Sequence, residues 1–147
     1  MTQTLNLSKN TTIIDARGPR FGAVITTLVL ATALATNSVW VIGAQAIVFA
    51  IGAIKGPQFT PYAFIYKTLV KPRLKGETPA EDVRPPQFAQ SVGLLFALTA
   101  IVGLTTGIGV LFTVAVAFAL AAAFLNAAFN FCLGCEIYLL LLRARSK

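Results

Sequence analysis

Four stretches of this chain carry no charged residue, and all twelve of its lysines and arginines lie between or beyond them. Phe21 to Thr36 and Ser38 to Ile54 form one pair, parted by Asn37. Phe88 to Leu104 and Ile108 to Phe131 form a second pair, parted by Thr105-Thr106-Gly107. Crossing ~30 Å of hydrocarbon takes roughly 20 helical residues, with about 17 as a lower limit. The first three stretches are short by that measure and must draw on their flanks, whereas the fourth is amply long. Only 12% of the 147 residues are charged and 56% are hydrophobic, against about a quarter charged in an ordinary soluble domain. So few charges cannot cover a soluble surface, and lipid is the solvent this composition demands.

The basic residues also orient the chain. The two tight turns lack charge, while Arg17, Arg20, Lys55, Lys67, Lys71, Arg73, Lys75, Arg84, Arg143, Arg145 and Lys147 occupy the other segments that leave the apolar stretches. Basic residues near span ends stay on the cytoplasmic side, which places both termini and the central loop there. The net charge of +7 is therefore membrane-flanking charge, and no nucleic-acid partner is expected. The first twenty residues are polar and hold Lys9, Arg17 and Arg20. They lack the short apolar core of a cleavable signal peptide, so the expectation is insertion without cleavage.

The chain reads as a diverged tandem duplication. Asp15-Ala16-Arg17-Gly18-Pro19-Arg20-Phe21 matches Asp82-Val83-Arg84-Pro85-Pro86-Gln87-Phe88 as D-x-R-x-P-x-F, an offset of 67 (82 less 15). Phe59 to Tyr66 matches Phe131 to Tyr138, an offset of 72 (131 less 59), so the second half has gained five residues within its hairpin. The fold expected is all-α and integral to the membrane. It has four transmembrane helices as two parallel repeats of a helical hairpin, each followed by a short cytoplasmic interfacial helix, near 61–71 and 133–143. This is one membrane domain over 1–147, with a first repeat over about 13–73, a linker over 74–81 and a second repeat over about 82–147. Two spans per half put the halves in the same direction, related by a pseudo-twofold along the membrane normal.

The two cysteines, Cys132 and Cys135, form one C-x-x-C pair where the fourth stretch meets water. Thr60-Pro61 reads as an N-cap followed by proline at the first helical position. In the matched register Cys132 takes the place of Thr60 and so opens the second interfacial helix. A helix N-terminus favours the thiolate, which makes Cys132 the expected nucleophile and Cys135, beside Glu136, the resolving thiol. The bland alternative is that both cysteines are small apolar packing residues. A structural disulfide is not expected on a reducing cytosolic face. Histidine is absent and two thiolates make half a tetrahedral zinc site, so no metal or cofactor is expected unless a homo-oligomer supplies four thiolates.

Three further groups stand out. Arg17 and Arg84 repeat by register and converge on an anion near the dithiol in the functional reading; in the bland one they meet lipid phosphates, with Asp15 and Asp82 capping the spans. Asn126 and Asn130, four apart on one helical face, and Gln45 would line a polar path to the thiols, or bond between helices as packing amides. The loop 71–87 holds Pro72, Pro79, Pro85 and Pro86 among charges and reads as a linker near anionic lipid.

The strings D-A-R-G-P-R-F at 15–21, R-P-P-Q-F-A-Q at 84–90 and N-x-x-F-x-F-C-L-G-C-E-I-Y at 126–138 resemble domain of unknown function family 4395, small bacterial membrane proteins with an F-C-L-G-C-E motif. The resemblance covers nearly the whole chain and matches that motif at Cys132 and Cys135. It implies a bacterial inner-membrane protein with a thioredoxin-like or rhodanese-like partner, and hence a thiol or sulfur role. Thiol-disulfide or sulfur transfer by the dithiol is the leading reading. An assembly subunit of a larger membrane complex and a small transporter are the alternatives, and the lack of charge within the spans counts against ion coupling.

Overall fold

A computed structural model describes residues 13–15, 17–70, 72, 80–129 and 131–146. In chain order its elements are strand β1 (Ile13–Asp15), helices α1 (Arg17–Thr36), α2 (Val39–Ile54) and α3 (Pro61–Ile65), strand β2 (Ala80–Asp82), and helices α4 (Arg84–Thr106), α5 (Gly109–Phe129) and α6 (Leu133–Ser146). A 3-10 turn over Pro57–Phe59 leads into α3, and a π-helical stretch over Tyr66–Val70 follows it. Each apolar stretch of the sequence is thus a helix. Three of them, α1, α4 and α5, are long and apolar enough to cross a membrane, and α2, with 16 residues, is the shorter apolar helix.

Both hairpins turn in the same way. α1 closes on Asn37 in the left-handed region (φ 52°) and α4 on Gly107 (φ 81°), the conformation that ends many helices by exposing the next amide to an earlier carbonyl. Asn37 N–H donates to Ala33 O (2.8 Å) and Ile108 N–H to Gly103 O (2.8 Å). Asparagine and glycine are the residues that tolerate this backbone. The turn residues are offset by 70 (107 less 37), and α4 has 23 residues where α1 has 20. Three of the five extra residues of the second half therefore precede its turn and two follow it.

Within the bundle each helix buries a narrow stripe. α1 buries Ala23, Thr26, Leu30 and Ala33, and α5 buries Phe112, Ala115, Val116 and Ala119, spacings of three and four that mark one helical face. The core joins these to Ile42, Ala46 and Phe49 of α2 and to Ala97 and Ala100 of α4. α4 packs chiefly on α2 and α5, and α1 chiefly on α5. Small residues permit this closeness: a Cβ on Gly93 would lie 2.6 Å from the Phe49 ring, and one on Gly52 would lie 2.7 Å from the Gln90 side chain. The outer faces are apolar and open, with Trp40 85% and Val110 75% exposed. Of the most apolar stretch of each long helix only 22% is buried. That is the surface of a multi-pass membrane protein, with lipid covering what the bundle leaves bare.

Two side-chain ties link the long helices at their ends. Arg20 Nε donates to Ala127 O of α5 (3.2 Å), and Gln87 Nε2 donates to Ala53 O of α2 (2.8 Å). Residues 20 and 87 are matched in the repeat (offset 67), so the start of α1 grips the last turns of α5 as the start of α4 grips the last turns of α2.

The structure departs from an all-α expectation at one place. β1 and β2 pair antiparallel, Ile13 with Asp82, Ile14 with Glu81 and Asp15 with Ala80. Residues 13–15 and 80–82 are themselves matched by the offset of 67. Asp15 and Asp82 accordingly end strands, and Val83 rather than Asp82 holds the cap position of α4, with no side-chain cap bond. Ala80 and Glu81, read as linker from the sequence, belong to that ribbon. The helix expected over 61–71 is α-helical only to Ile65 and continues as the π stretch to Val70, while the one expected over 133–143 runs on to Ser146. Lys71 and residues 73–79 lie outside the described residues.

Candidate functional site

Thr60 is the N-cap of α3: its side chain accepts the Ala63 N–H (3.2 Å) and its carbonyl accepts the Phe64 N–H (3.1 Å). The same two bonds recur 72 residues later. Cys132 Sγ accepts the Cys135 N–H (3.1 Å) and Cys132 O accepts the Glu136 N–H (3.0 Å). Cys132 therefore opens α6 as its matched residue opens α3, the position the sequence register predicts. Orphan amides of a first turn point at such a residue and favour negative charge on it.

The two sulfurs lie within bonding distance. Cys132 and Cys135 are joined as a disulfide, with Cα atoms 5.1 Å apart. Helical closure of the C-x-x-C segment is what brings the sulfurs this close, whatever redox state the compartment imposes. Neither cysteine is buried, and Phe131 and Leu133 beside them are 44% and 41% exposed. Both cysteines are half-buried.

α6 holds the disulfide against the first turns of α4. Gly134 approaches Ala89 so closely that a Cβ on it would lie 2.6 Å from the Ala89 Cβ. One turn further on, the Phe88 and Tyr138 rings meet with centroids 5.5 Å apart and planes at 46°. The first half repeats the contact: α3 lies along α1, Phe21 meets Tyr66 at 5.8 Å and 45°, and Gly22 faces Tyr62. Phe21 and Phe88 are matched by the offset of 67, and Tyr66 and Tyr138 by the offset of 72. The sequence motifs contain all four rings, and only the fold reveals that they pair.

The other residues expected at the site are placed as follows. Arg17 opens α1 and Arg84 opens α4, at the end of the bundle where the disulfide lies, and both are engaged by neighbouring groups. Asn126 is half-buried near the end of α5, and Asn130 lies outside the described residues. Gln45 is fully buried in α2, where its Oε1 accepts the Tyr62 hydroxyl (2.7 Å) and its Nε2 has no partner. It ties α2 to α3, the helix of the first half. Burial pushes the Tyr62 phenol up from its ordinary range, so the hydroxyl remains a donor through neutral pH. A cavity of about 20 Å³, room for one water, lies beside it among Gly22, Thr26, Val48, Thr60, Tyr62 and Gln90.

No similar curated protein and no similar solved structure is found for this chain. A family model described as Domain of unknown function (DUF4395) matches residues 14–143, a span that includes both hairpins, α3, most of α6 and the disulfide. The chain belongs to that family.

Proposed function

We propose that this is a four-span inner-membrane protein whose Cys132–Cys135 pair carries out thiol–disulfide exchange at the cytoplasmic surface. The observation that carries the reading is the position of the pair: a half-buried disulfide whose first sulfur caps a helix. In the reducing direction a partner thiolate attacks Cys132 Sγ, forming a mixed disulfide and releasing the Cys135 thiolate. A second partner thiol then displaces Cys132. The partner leaves as a disulfide, two electrons pass to the pair, and each thiolate takes a proton from water. In the other direction the Cys132 thiolate attacks a partner disulfide and Cys135 resolves it. A thioredoxin-like protein is the partner class that the family resemblance favours, since its own dithiol completes this exchange. The bonded pair favours exchange over transfer of a sulfane sulfur, which needs a free thiolate to carry it.

Supports for the membrane arrangement come from the fold. α2 extends only about 24 Å at 1.5 Å per residue, yet the turn that follows it and α3 pack beside the start of α1. It therefore carries the chain back along the whole first helix, as a short span does. The two matched turns, the two matched ring pairs and the register of the ribbon support a parallel repeat with both short helices on one side. The basic residues favour the cytoplasm for that side.

The test uses single-thiol variants. In Cys135→Ser the remaining Cys132, and in Cys132→Ser the remaining Cys135, are alkylated with iodoacetamide over a pH series in phospholipid nanodiscs. Cys132 is expected to react as a thiolate at lower pH than Cys135. Equal profiles would remove Cys132 as the nucleophile, and failure of both thiols to react would leave the pair as packing in an assembly subunit.

A further inference from the structure

We propose that Gly134 is a positioning residue for the cysteine pair: without a side chain, it lets the first turn of α6 seat directly on α4 at Ala89, and that seating fixes where the two sulfurs stand. The inference rests on the thiol-exchange reading and deepens it.

The contact is unusually close. A Cβ built on Gly134 would lie 2.6 Å from the Ala89 Cβ and 2.7 Å from its Cα. Ordinary carbon contacts lie at roughly 3.5–4.0 Å, and the Cα of a helix interior cannot swing aside as a side-chain tip can. Two helices touch here almost backbone to backbone, between the two cysteines in sequence. The next turn is held by the Phe88–Tyr138 rings, so α6 is fixed at both levels along one face. Arg84 begins α4 five residues before Ala89, about 7.5 Å along the axis. The seating therefore also sets how far the sulfurs stand from the charged end of α4.

The first half shows what the position holds when no cysteine depends on it. Residue 62 matches residue 134 by the offset of 72, and residue 22 matches residue 89 by the offset of 67. There the helices lie farther apart: a Cβ on Gly22 would meet the Tyr62 Cβ at an ordinary 3.8 Å. The Tyr62 side chain extends past that contact to reach Gln45. In the second half the side chain is gone, and α6 comes inward against α4.

The sign of the effect separates this account from local helix preference. Alanine is a better helix former than glycine, so Gly134→Ala without the contact would tighten the first turn of α6. With the contact it forces that turn off α4. Amide hydrogen exchange of Glu136 and Ile137 in the full chain in phospholipid nanodiscs should then quicken by about fivefold or more. In the Cys135→Ser background the iodoacetamide profile of Cys132 should move to a different pH. Ala89→Val should reproduce both from the α4 side, whereas Ala89→Gly in the double variant should not fully restore either, because its Cα stays 2.7 Å from the new Cβ. Gly43→Ala, whose Cβ meets nothing within 4 Å, is the control expected to change neither.

Unchanged or slowed exchange in Gly134→Ala would overturn the contact. Faster exchange with an unmoved Cys132 profile would make Gly134 a packing residue only and overturn the positioning role. Failure of Ala89→Val to reproduce the change would overturn the steric cause. None of these outcomes touches the exchange reading, which fails separately if Cys132 does not react in the Cys135→Ser variant with Gly134 intact.

Discussion

Removing one hydroxyl should cost this protein more than removing the whole amide it binds. Tyr62 donates to Gln45 Oε1 at 2.7 Å, and Gln45 has no exposed surface and an Nε2 without a partner. Tyr62→Phe leaves both ends of a buried amide unpaired. A buried polar atom stripped of its partner costs about 1–3 kcal/mol. Gln45→Leu acts in the opposite sense. It deletes both polar atoms in favour of a similar volume, and strands only a phenol that is itself partly exposed and can turn to water. Its cost should be near zero, and the double variant should lie close to it, because replacing both partners together leaves nothing unpaired.

The predicted order of stability is therefore Gln45→Leu and the double variant near wild type, with Tyr62→Phe lowest by about 1–3 kcal/mol. Reversible unfolding of the purified protein in mixed micelles, followed by far-ultraviolet circular dichroism, reads each difference. The coupling energy of the cycle then isolates the pair. Tyr62→Phe equal to wild type, or Gln45→Leu less stable than Tyr62→Phe, would refute the reasoning. The same variants decide the role of Gln45: as a tie between α2 and α3 it can be replaced by leucine without altering Cys132 alkylation, whereas a polar path to the disulfide would lose function.

Two further outcomes follow from the fold. Reporter fusions at Lys75 and Lys147 should read cytoplasmic and one inserted at Asn37 external; an external signal at Lys75 or Lys147 would reverse the orientation and put the disulfide on the oxidising side. Gln87→Leu and Arg20→Leu, which each remove one tie between the halves, should each destabilise by about 0.5–1.5 kcal/mol in the same unfolding assay, with Gln87→Leu the costlier, because its bond to Ala53 is shorter and less exposed.

Much of this architecture is written locally. Uncharged stretches of adequate length become helices because no other backbone state satisfies its hydrogen bonds in lipid, and Asn37 and Gly107 turn because of what each tolerates at positive φ. The N-cap at Cys132 was legible because Thr60-Pro61 is an explicit helix start and the repeat carries its register forward. What the sequence did not yield depends on contacts between segments far apart in the chain. Arg20 reads from the sequence only as membrane-flanking charge, and its bond to Ala127 O exists because the fold brings the last turn of α5 beside it. The ribbon of 13–15 with 80–82 has no alternating apolar pattern to announce it, since three residues are too few for a period. The closeness of the two sulfurs follows instead from the geometry of a helical C-x-x-C, which compartment chemistry alone does not indicate.

The matched positions of the two halves give the case for function its direction. Thr60, Tyr62 and Ala63 in one half stand where Cys132, Gly134 and Cys135 stand in the other, in the same first turn with the same cap bonds. Thr60 is 6% exposed and spends its hydroxyl on Pro57 O and the Ala63 amide, which is what a purely structural cap does. Cys132 keeps the amide bond but is not buried, and sulfur is the poorer acceptor of the two. As a cap, then, cysteine is a worse choice than the threonine already present in the matched half. A scaffold that needed only a second helix start had the better residue to hand. The substitution of both cap and partner position by cysteine, with the intervening side chain reduced to hydrogen, makes physical sense where the gain lies in the reactivity of the sulfurs.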